Sequence, residues 1–150
     1  MIYIVASTFY EELSDELIEG AVNVISTAMY HDPLTSTSAP SKIKVIKVPG
    51  AFEIPGMVKQ LLDNKKADLI ITLGVIIKGE TNHFEQISDF VFDSISKLTI
   101  SSDVPIAFGV ISAQNYDQAE KRALIKYKNK GREVAHAGVN MLSLYEKYKK

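Results

Sequence analysis

The amino-acid sequence predicts an α/β fold, a three-layer α/β/α sandwich built on a four-stranded parallel sheet. Four short β-rich runs punctuate the chain, and helical patterns follow each of them. This alternation implies a parallel sheet with helices on both faces, because each crossover packs back onto the sheet. Of the 150 residues, 46% are hydrophobic, which is enough to form one domain with a substantial core.

Two strand–helix pairs are predicted in the first half of the chain. The first strand is predicted over Ile2–Ala6 and the second over Lys42–Val48. Pro55 suits the first turn of the helix after the second strand, because its missing N–H has no intrahelical partner there. The polar segment His31–Lys42 is predicted to be a surface loop. The helix after the first strand carries one apolar stripe: Leu13, Leu17, Ala21, Ile25 and Ala28.

Two further strands, Leu69–Leu73 and Pro105–Val110, are predicted in the second half. The helix between them carries another apolar stripe at helical spacing: Phe84, Ile87, Val91, Ile95 and Leu98. From Gln118 to about Lys149 the pattern predicts two helical pieces with a break near Asn129–Gly131. There is no internal repeat and no domain boundary, so residues 1–150 are predicted to form a single domain.

The composition excludes several kinds of site and partner. The absence of cysteine rules out disulfides, thiolate zinc sites and cysteine nucleophiles. The three histidines, His31, His83 and His136, lack metal-ligand spacing, so no metal site is predicted. A formal charge of −1 provides no basic field for nucleic acid. No run approaches the ~18 apolar residues that span a bilayer, so we expect a cytoplasmic protein with no membrane partner.

The topology predicts where a ligand would bind. In open parallel sheets, ligands bind beyond the carboxyl ends of the strands. The predicted loops at that edge are Ser7–Glu11, Pro49–Glu53, Gly74–His83 and Ile111–Tyr116. The unusual side chains of the sequence fall in or beside these loops, which indicates one shared site.

The third loop begins like a nucleotide-binding P-loop and then departs from that pattern. Gly74, Gly79 and Thr81 occupy the two glycine positions and the hydroxyl position, but Glu80 stands where the lysine belongs. A carboxylate there would repel a triphosphate, and the bulky residues 75–77 do not suit a loop that wraps phosphates with bare backbone. The loop is therefore not predicted to bind a nucleoside triphosphate.

Each candidate residue has both an ordinary and a functional interpretation. A lone histidine such as His83 is more often structural, but at a helix N-terminus it would shuttle protons beside a bound anion. Phe9 is either a core residue at a strand end or a stacking surface for a planar ring. Glu53 either complements a helix dipole or accepts hydrogen bonds from sugar-like hydroxyls. Arg122 and Lys130 are either surface cations or phosphate ligands.

Five segments occur in the order and at the spacing of one enzyme family: VPGAFEIP (48–55), GVIIKGETNHFE (74–85), PIAFGV (105–110), QAEKRA (118–123) and NKG (129–131). On these segments the chain resembles the 6,7-dimethyl-8-ribityllumazine synthases of riboflavin biosynthesis, and the resemblance covers nearly the whole chain. It implies a flavodoxin-like arrangement of the sheet and a single lumazine synthase domain over residues 1–150.

The resemblance also implies a reaction. The family condenses 5-amino-6-(D-ribitylamino)uracil with 3,4-dihydroxy-2-butanone 4-phosphate, needs no cofactor or metal, and releases phosphate and water. By resemblance, Phe9 would stack on the pyrimidine ring. Backbone groups of Ala51 and Phe52, with the carboxylate of Glu53, would hold the ribityl chain.

The remaining roles that the resemblance implies concern the ring pocket, the phosphate and the protons. Ile76 and Ile77 would line the ring pocket, the backbone N–H groups of Glu80 and Thr81 would bind the phosphate, and His83 would shuttle protons. In the family a neighbouring subunit completes the site. Here it would do so through Phe108, Arg122 and Lys130, with Glu133 orienting His83.

The resemblance further implies self-association. The family forms pentamers, and many members build a 60-subunit shell from twelve of them. The break before Asn129 lacks the insertion typical of free pentamers, which favours the shell. The start of the chain almost directly at the first strand, without the extension that often supports shell contacts, argues the other way. Riboflavin synthase is a further candidate partner.

Two rival hypotheses remain open. The first is a non-catalytic lumazine- or flavin-binding shell protein of the same fold, although passive binding would not need His83, Arg122 and Glu53 together. The second is an unrelated flavodoxin-like or receiver domain, disfavoured because the first loop lacks a glycine-rich phosphate cradle. Thr8 and Tyr10 flank Phe9 where the family commonly has Arg and Asn.

Overall fold

A computed structural model describes residues 1–31, 42–64 and 67–149, with the backbone alone at residues 29–31. Its strands form one parallel sheet in the order β2-β1-β3-β4. The predicted four-stranded parallel sheet is therefore confirmed. The strands are β1 (Ile2–Ser7), β2 (Ile43–Val48), β3 (Leu69–Ile77) and β4 (Ile106–Ala113).

Helices cover both faces of the sheet, as predicted. α1, α4 and α5 pack on one face, and α2 and α3 pack on the other together with a 3-10 turn at Ala51–Glu53. The three-layer α/β/α arrangement is thus confirmed. The helices are α1 (Glu11–His31), α2 (Ile54–Asp63), α3 (His83–Ser101), α4 (Tyr116–Ala123) and α5 (Lys130–Tyr148).

The two inner strands form the centre of the core because both of their faces are covered. Every residue of β1 is buried, and so are all residues of β3 except Ile77. Near-continuous apolar runs of this kind are typical of parallel strands between two helical layers. In α1 the predicted stripe is confirmed for Leu13, Leu17, Ala21 and Ile25, which are fully buried, whereas its last member, Ala28, is half-buried. Burying each of the larger side chains contributes roughly 1.5–3 kcal/mol.

Two strands end at least three residues later than the sequence predicts, and the other strand ends agree to within one residue. β3 runs to Ile77 instead of Leu73, and β4 runs to Ala113 instead of Val110. Gly74, which the sequence suggested as the start of a loop, lies within β3. A Cβ atom at Gly74 would lie 2.5 Å from Oγ of Ser7, so glycine lets β3 pass close to the end of β1. The predicted third and fourth loops therefore begin later, at residues 78 and 114.

The C-terminal region contains two helices, as predicted, but the boundaries shift. α4 begins at Tyr116, two residues before the predicted start, because Asn115 caps it by accepting a hydrogen bond from the Gln118 backbone N–H at 2.9 Å. The break spans residues 124–129 and so ends at Asn129, near the predicted position. Asn129 is the N-cap of α5 and adopts a left-handed conformation with φ 47°.

Two further predictions are confirmed, and a third falls mostly on residues that the structure does not describe. Pro55 does lie in the first turn of α2, and α3 does begin at His83. The predicted surface loop His31–Lys42 falls mostly on residues 32–41, which lie outside the described residues. In the part of the chain that the structure describes, no helix is long and apolar enough to cross a membrane.

Candidate active site

The carboxyl ends of the inner strands form a step. β1 ends soon after Ala6, which pairs with Leu73, whereas β3 continues through Gly74–Ile77. At about 3.3 Å per residue, this four-residue overhang extends roughly 13 Å beyond the pairing with β1. Connections leave β1 and β3 toward opposite edges of the sheet, so the step lies at the switch point where ligands bind in such folds.

Ile76 and Ile77 lie on the overhang and point to opposite faces. Ile76 is 8% exposed and packs with the core under α2 and α3, while the half-buried Ile77 packs against the core under α1 and α5. The overhang therefore has an apolar surface on each side of the sheet. The predicted role of Ile76 and Ile77 as walls of a ring pocket stays a prediction, since the two side chains lie on opposite faces of the sheet.

Phe9 stands beside the step on a fixed loop. Its side chain is 74% exposed. The backbone N–H of Thr8 donates to the Val48 carbonyl at 2.9 Å, and the Thr8 hydroxyl donates to the same oxygen at 3.3 Å. Single exposed apolar side chains are common on protein surfaces, so exposure by itself assigns no role. The exposure does exclude the interpretation of Phe9 as a core residue of this chain, and its role as a stacking surface stays a prediction.

The 3-10 turn after β2 carries the next group. Ala51 is buried, whereas Phe52 and Glu53 are exposed. The Phe52 ring stacks on Phe90 of α3, with centroids 4.5 Å apart and an interplanar angle of 23°. Glu53 is the N-cap of α2, and within the described residues its side chain makes no capping hydrogen bond. The exposed carboxylate of Glu53 is therefore not used in capping α2, and its role in ligand binding stays a prediction.

The loop after β3 leads directly into α3. Thr81 and His83 are exposed, and the His83 backbone N–H donates to the Thr81 hydroxyl at a long 3.5 Å. As far as the described chain shows, the N-cap Asn82 makes no side-chain capping bond. Backbone N–H groups in the first turn of a helix have no intrahelical acceptor, so this helix start favours an anion. Lys78 and Glu85 form an exposed ion pair at 3.5 Å beside it.

Arg122 lies at the carboxyl end of β4. Its Nη1 donates to the backbone carbonyl of Ser112 at 3.0 Å. Ser112 in turn donates through its hydroxyl to Oγ of Ser88 on α3, also at 3.0 Å. The end of β4 therefore holds the guanidinium of Arg122 through Nη1. The other N–H donors of the guanidinium do not take part in this bond.

Phe108, Lys130 and Glu133 form a separate group. They line a cavity of about 250 Å³ between β4 and α5 on the outer edge of the sheet. Phe108 pairs with Thr72, five residues before the end of β3, which is roughly 16 Å along the strand. Lys130 Nζ lies 2.7 Å from Glu133 Oε1, so within one chain Glu133 contacts Lys130. Lys130 and Glu133 therefore lie on a different surface from the step, whereas Phe108 also lines a cavity of about 230 Å³ together with Ile76 of the overhang.

Three aromatic residues that were not predicted to have a role, Tyr10, Phe90 and Tyr116, also contribute to these surfaces. Phe90 supports Phe52, and Tyr116 lies against Tyr10 with ring centroids 6.3 Å apart. Phe90 lies off the apolar stripe of α3, so an aromatic residue on an otherwise polar helix face was the available signal. Partial burial raises the pKa of Tyr116, and the nearby carboxylates of Glu12 and Glu120 raise it by a smaller amount, so the phenol is neutral.

Comparisons with known proteins identify one family. A family model described as 6,7-dimethyl-8-ribityllumazine synthase matches residues 1–146. The protein of that name from Leuconostoc mesenteroides subsp. mesenteroides is 37% identical over 148 residues, covering 99% of this chain and 90% of that protein. The one from Limosilactobacillus reuteri is 38% identical over 94% of this chain and 86% of its own length. The one from Kosmotoga olearia is 38% identical over 95% and 86%.

Proposed function

The chain belongs to the 6,7-dimethyl-8-ribityllumazine synthase family, and from that membership we propose the reaction, the residue roles and the assembly described below. The enzyme condenses 5-amino-6-(D-ribitylamino)uracil with 3,4-dihydroxy-2-butanone 4-phosphate. The products are 6,7-dimethyl-8-ribityllumazine, phosphate and water. It is a transferase of the penultimate step in riboflavin biosynthesis, and riboflavin synthase, which would consume its product, is the partner enzyme we propose.

The observation that carries the proposal is the match of the family model to residues 1–146. Two features of the step support it. An exposed ring, Phe9, stands next to the apolar overhang, and the start of α3 with His83 lies just beyond β3. Phe9 and the overhang suit the binding of a planar heterocycle. The start of α3 suits the binding of a phosphate, and His83 suits a proton transfer.

We assign the ribitylaminouracil to the β1 and β2 side of the step. Its pyrimidine ring stacks on Phe9 and lies against the overhang residues Ile76 and Ile77. Its ribityl hydroxyls bond to the turn at residues 51–53, where the backbone of Ala51 and Phe52 and the carboxylate of Glu53 are the partners. Support comes from the exposed Glu53 carboxylate, which is not engaged in capping α2.

We assign the butanone phosphate to the start of α3. The backbone N–H groups of Glu80 and Thr81 bind the phosphate together with the dipole of the helix, and Arg122 of a neighbouring copy supplies the cation. A single phosphate bound in this way does not require the lysine of a P-loop. Glu80 is exposed, so its carboxylate turns into solvent, away from the phosphate.

The chemistry is a sequence of proton transfers between two aligned reactants. The uracil amino group attacks the ketone, and loss of water gives an imine. Loss of a proton from carbon 3 of the butanone then expels the phosphate from carbon 4 and leaves an enol, which tautomerises to a new carbonyl at carbon 3. The ribitylamino nitrogen attacks this carbonyl, and loss of a second water closes the ring. His83 moves protons at these stages, which contributes roughly 10²–10⁴-fold, whereas alignment of the reactants contributes up to about 7–11 kcal/mol.

We propose that each site is shared between two copies of the chain. Lys130 and Glu133 line a cavity at the outer edge of β4. Phe108 lines that cavity too, and it also reaches the cavity beside Ile76 of its own chain. A neighbouring copy that presents this edge to the step would supply Phe108, Arg122 and Lys130, and its Glu133 would orient His83. A ring of such copies is closed and head-to-tail, which agrees with a pentamer and with a 60-subunit shell built from pentamers.

A mixing assay tests the reaction. Purified protein is combined with both substrates, and lumazine formation is followed by its absorbance and fluorescence above the uncatalysed background. We expect acceleration that saturates in each substrate. A folded, oligomeric protein that binds the lumazine product without accelerating its formation would instead identify the non-catalytic binding protein.

A further inference from the structure

Three aromatic rings form a continuous ladder that begins at the exposed Phe9. The Phe9 and Tyr10 rings meet edge to face, with centroids 5.0 Å apart and an interplanar angle of 72°. The Tyr10 and Tyr116 rings meet in the same manner at 6.3 Å and 64°. Aromatic pairs prefer this geometry because the positive edge of one ring faces the negative face of the other. The ladder therefore connects the loop after β1 to the first residue of α4.

The backbone beside the ladder is fixed on both sides of Phe9. On one side, Thr8 is bonded twice to the Val48 carbonyl of β2. On the other side, the Tyr10 carbonyl accepts the backbone N–H of Ser14 at 2.9 Å, in the first turn of α1. Backbone bonds set the position of the Phe9 Cα but leave rotation about its side-chain torsions free. Contacts to the Phe9 ring itself must limit that rotation.

Tyr10 is the middle ring of the ladder, and it is suited to limit that rotation because other groups hold it in place. It is half-buried and packs against the core under α1. Tyr116 supports its other side, and Tyr116 is itself positioned by the Asn115 cap of α4. Phe9, by contrast, is 74% exposed. The ladder thus transmits the rigidity of the core to a ring that would otherwise sample several rotamers.

We propose that Tyr10 and Tyr116 are positioning residues for pyrimidine binding, and that they act by holding the Phe9 ring in its stacking orientation. The inference rests on the proposed function and extends it to two side chains that do not touch the substrate. A ring that is already oriented loses less conformational entropy when the pyrimidine stacks on it, so the ladder raises affinity by preorganisation. Tyr10 contributes directly, and Tyr116 contributes through Tyr10.

The proposal makes a selective prediction. The ladder lies on the β1 and α4 side of the step, whereas the butanone phosphate is assigned to the start of α3. Loss of the ladder should therefore weaken binding of the pyrimidine and leave binding of the phosphate substrate unchanged. A purely structural role for Tyr10 would instead lower thermal stability without separating the two substrates.

The test compares Tyr10→Ala with Tyr10→Phe, and Tyr116→Leu with Tyr116→Phe. Tyr148→Ala, at the exposed end of α5, is the matched control for loss of a tyrosine. Steady-state rates give KM for each substrate and kcat. Titration of the lumazine product, followed by quenching of its fluorescence, gives a dissociation constant that does not depend on turnover. Circular dichroism melts establish that each variant is folded.

We expect Tyr10→Ala to raise the pyrimidine KM and the product dissociation constant about three- to tenfold, the range of an edge-to-face contact. Tyr116→Leu should give a smaller rise, and combining it with Tyr10→Ala should add little because both act through one ring. Both Phe variants should retain wild-type values, since the ladder uses rings and not hydroxyls.

Several results would overturn the inference. The first is an unchanged product affinity in Tyr10→Ala, and the second is an equal rise in the KM values of both substrates. The third is a loss of product affinity in Tyr10→Phe as large as in Tyr10→Ala, because that result would mean that the hydroxyl contacts the substrate. Failure of the proposed reaction is a separate result, because it would appear as absence of turnover in the wild-type protein. The product titration would still decide the role of the ladder.

Discussion

His83 is the residue on which the proposed proton transfers depend. It is exposed at the first position of α3, where both substrates are proposed to meet. Because alignment contributes more than acid–base help, His83→Ala should lower kcat by roughly 10²–10⁴-fold without abolishing turnover. Stopped-flow or steady-state rates measure this loss, with His136→Ala on the exposed side of α5 as the control. A folded His83→Ala protein with no turnover above background would contradict the primacy of alignment.

Arg122 should act on affinity more than on chemistry. Loss of a charge-assisted hydrogen bond to phosphate costs about 1.5–3 kcal/mol, so Arg122→Ala should raise the KM for butanone phosphate roughly 10- to 100-fold. The pyrimidine KM should not change. Arg122→Lys should recover only part of the affinity, because an ammonium group cannot bond the Ser112 carbonyl and a phosphate with a planar fork. An unchanged phosphate KM in Arg122→Ala would remove Arg122 from the site.

Residue types in the site were predictable from the sequence, but their contacts were not. His83 at a helix start and Glu53 before Pro55 follow from local patterns. The bond from Arg122 to the Ser112 carbonyl and the stacking of Phe52 on Phe90 depend on how distant segments meet. No local pattern encodes such a meeting, because it is set by the register and packing of the whole sheet.

At the level of the elements, Gly74 determines how β3 passes the end of β1. Gly74→Ala would place a Cβ 2.5 Å from Ser7 Oγ and 3.2 Å from Ile54 Cδ1, so it should lower the free energy of unfolding by about 1–3 kcal/mol. Ser7→Ala removes the nearer atom and should restore part of the loss in the double variant. Urea denaturation measures each value.

Gly56→Ala is the matched control for Gly74→Ala. It lies in α2 with open space around the added methyl group, and it should stabilise the protein by roughly 0.5–1 kcal/mol. If Gly74→Ala were as stable as the wild-type protein, then the close approach of β1 and β3 would not be what requires glycine at that position.

The start of α5 offers a second test of an element boundary. Asn129 accepts the Arg132 backbone N–H through its side chain while its φ is 47°. Asn129→Ala loses the cap and leaves alanine in a left-handed conformation, each costing about 1 kcal/mol or more. Asn129→Gly should lose only a few tenths, because glycine tolerates that conformation. Asn140→Ala, exposed in the middle of α5, is the control, and thermal or urea unfolding is the measurement. Equal losses in the Ala and Gly variants would show that backbone conformation is irrelevant there.

Element types were predicted correctly, whereas element ends were not. The apolar run through residues 75–77 contains no breaker except Gly74, and a glycine between apolar residues is typical both of a loop and of a close approach between strands. Only the position of Ser7, distant in sequence, distinguishes the two. The start of α4 likewise depended on the Asn115 cap, which lies within a polar stretch with several capping residues.

For the whole molecule, the separation of residues between the step and the β4 edge leads to a complementation test. His83→Ala and Arg122→Ala each disable a different half of a shared site. When the two chains are co-expressed and assembled at random in a ring, roughly a quarter of the sites combine both intact halves. At a butanone phosphate concentration well below the KM of Arg122→Ala, each variant alone should be slow, and activity in the mixture should recover to about that fraction. No recovery in proven mixed oligomers would show that one chain forms the complete site.

The oligomer itself is expected to be at least a pentamer, and light scattering measures its mass. Contacts between copies depend on the shape of two surfaces, so sequence patterns do not determine the number of copies in the way that they determine a helix. A stable monomer with full activity would contradict the shared site.

The position of β1 has a consequence for how the chain folds during its synthesis. β1 precedes both of its neighbours in the chain and so emerges before them during synthesis, yet it is an inner strand of the finished sheet. Its second neighbour, β3, is complete only at Ile77, so more than half of the chain must leave the ribosome before both sides of β1 are paired. Pairing over such separations is slow. The apolar strand β1 therefore stays without its partners until β2 and β3 have emerged, and during that time it is a binding site for chaperones that recognise extended apolar segments.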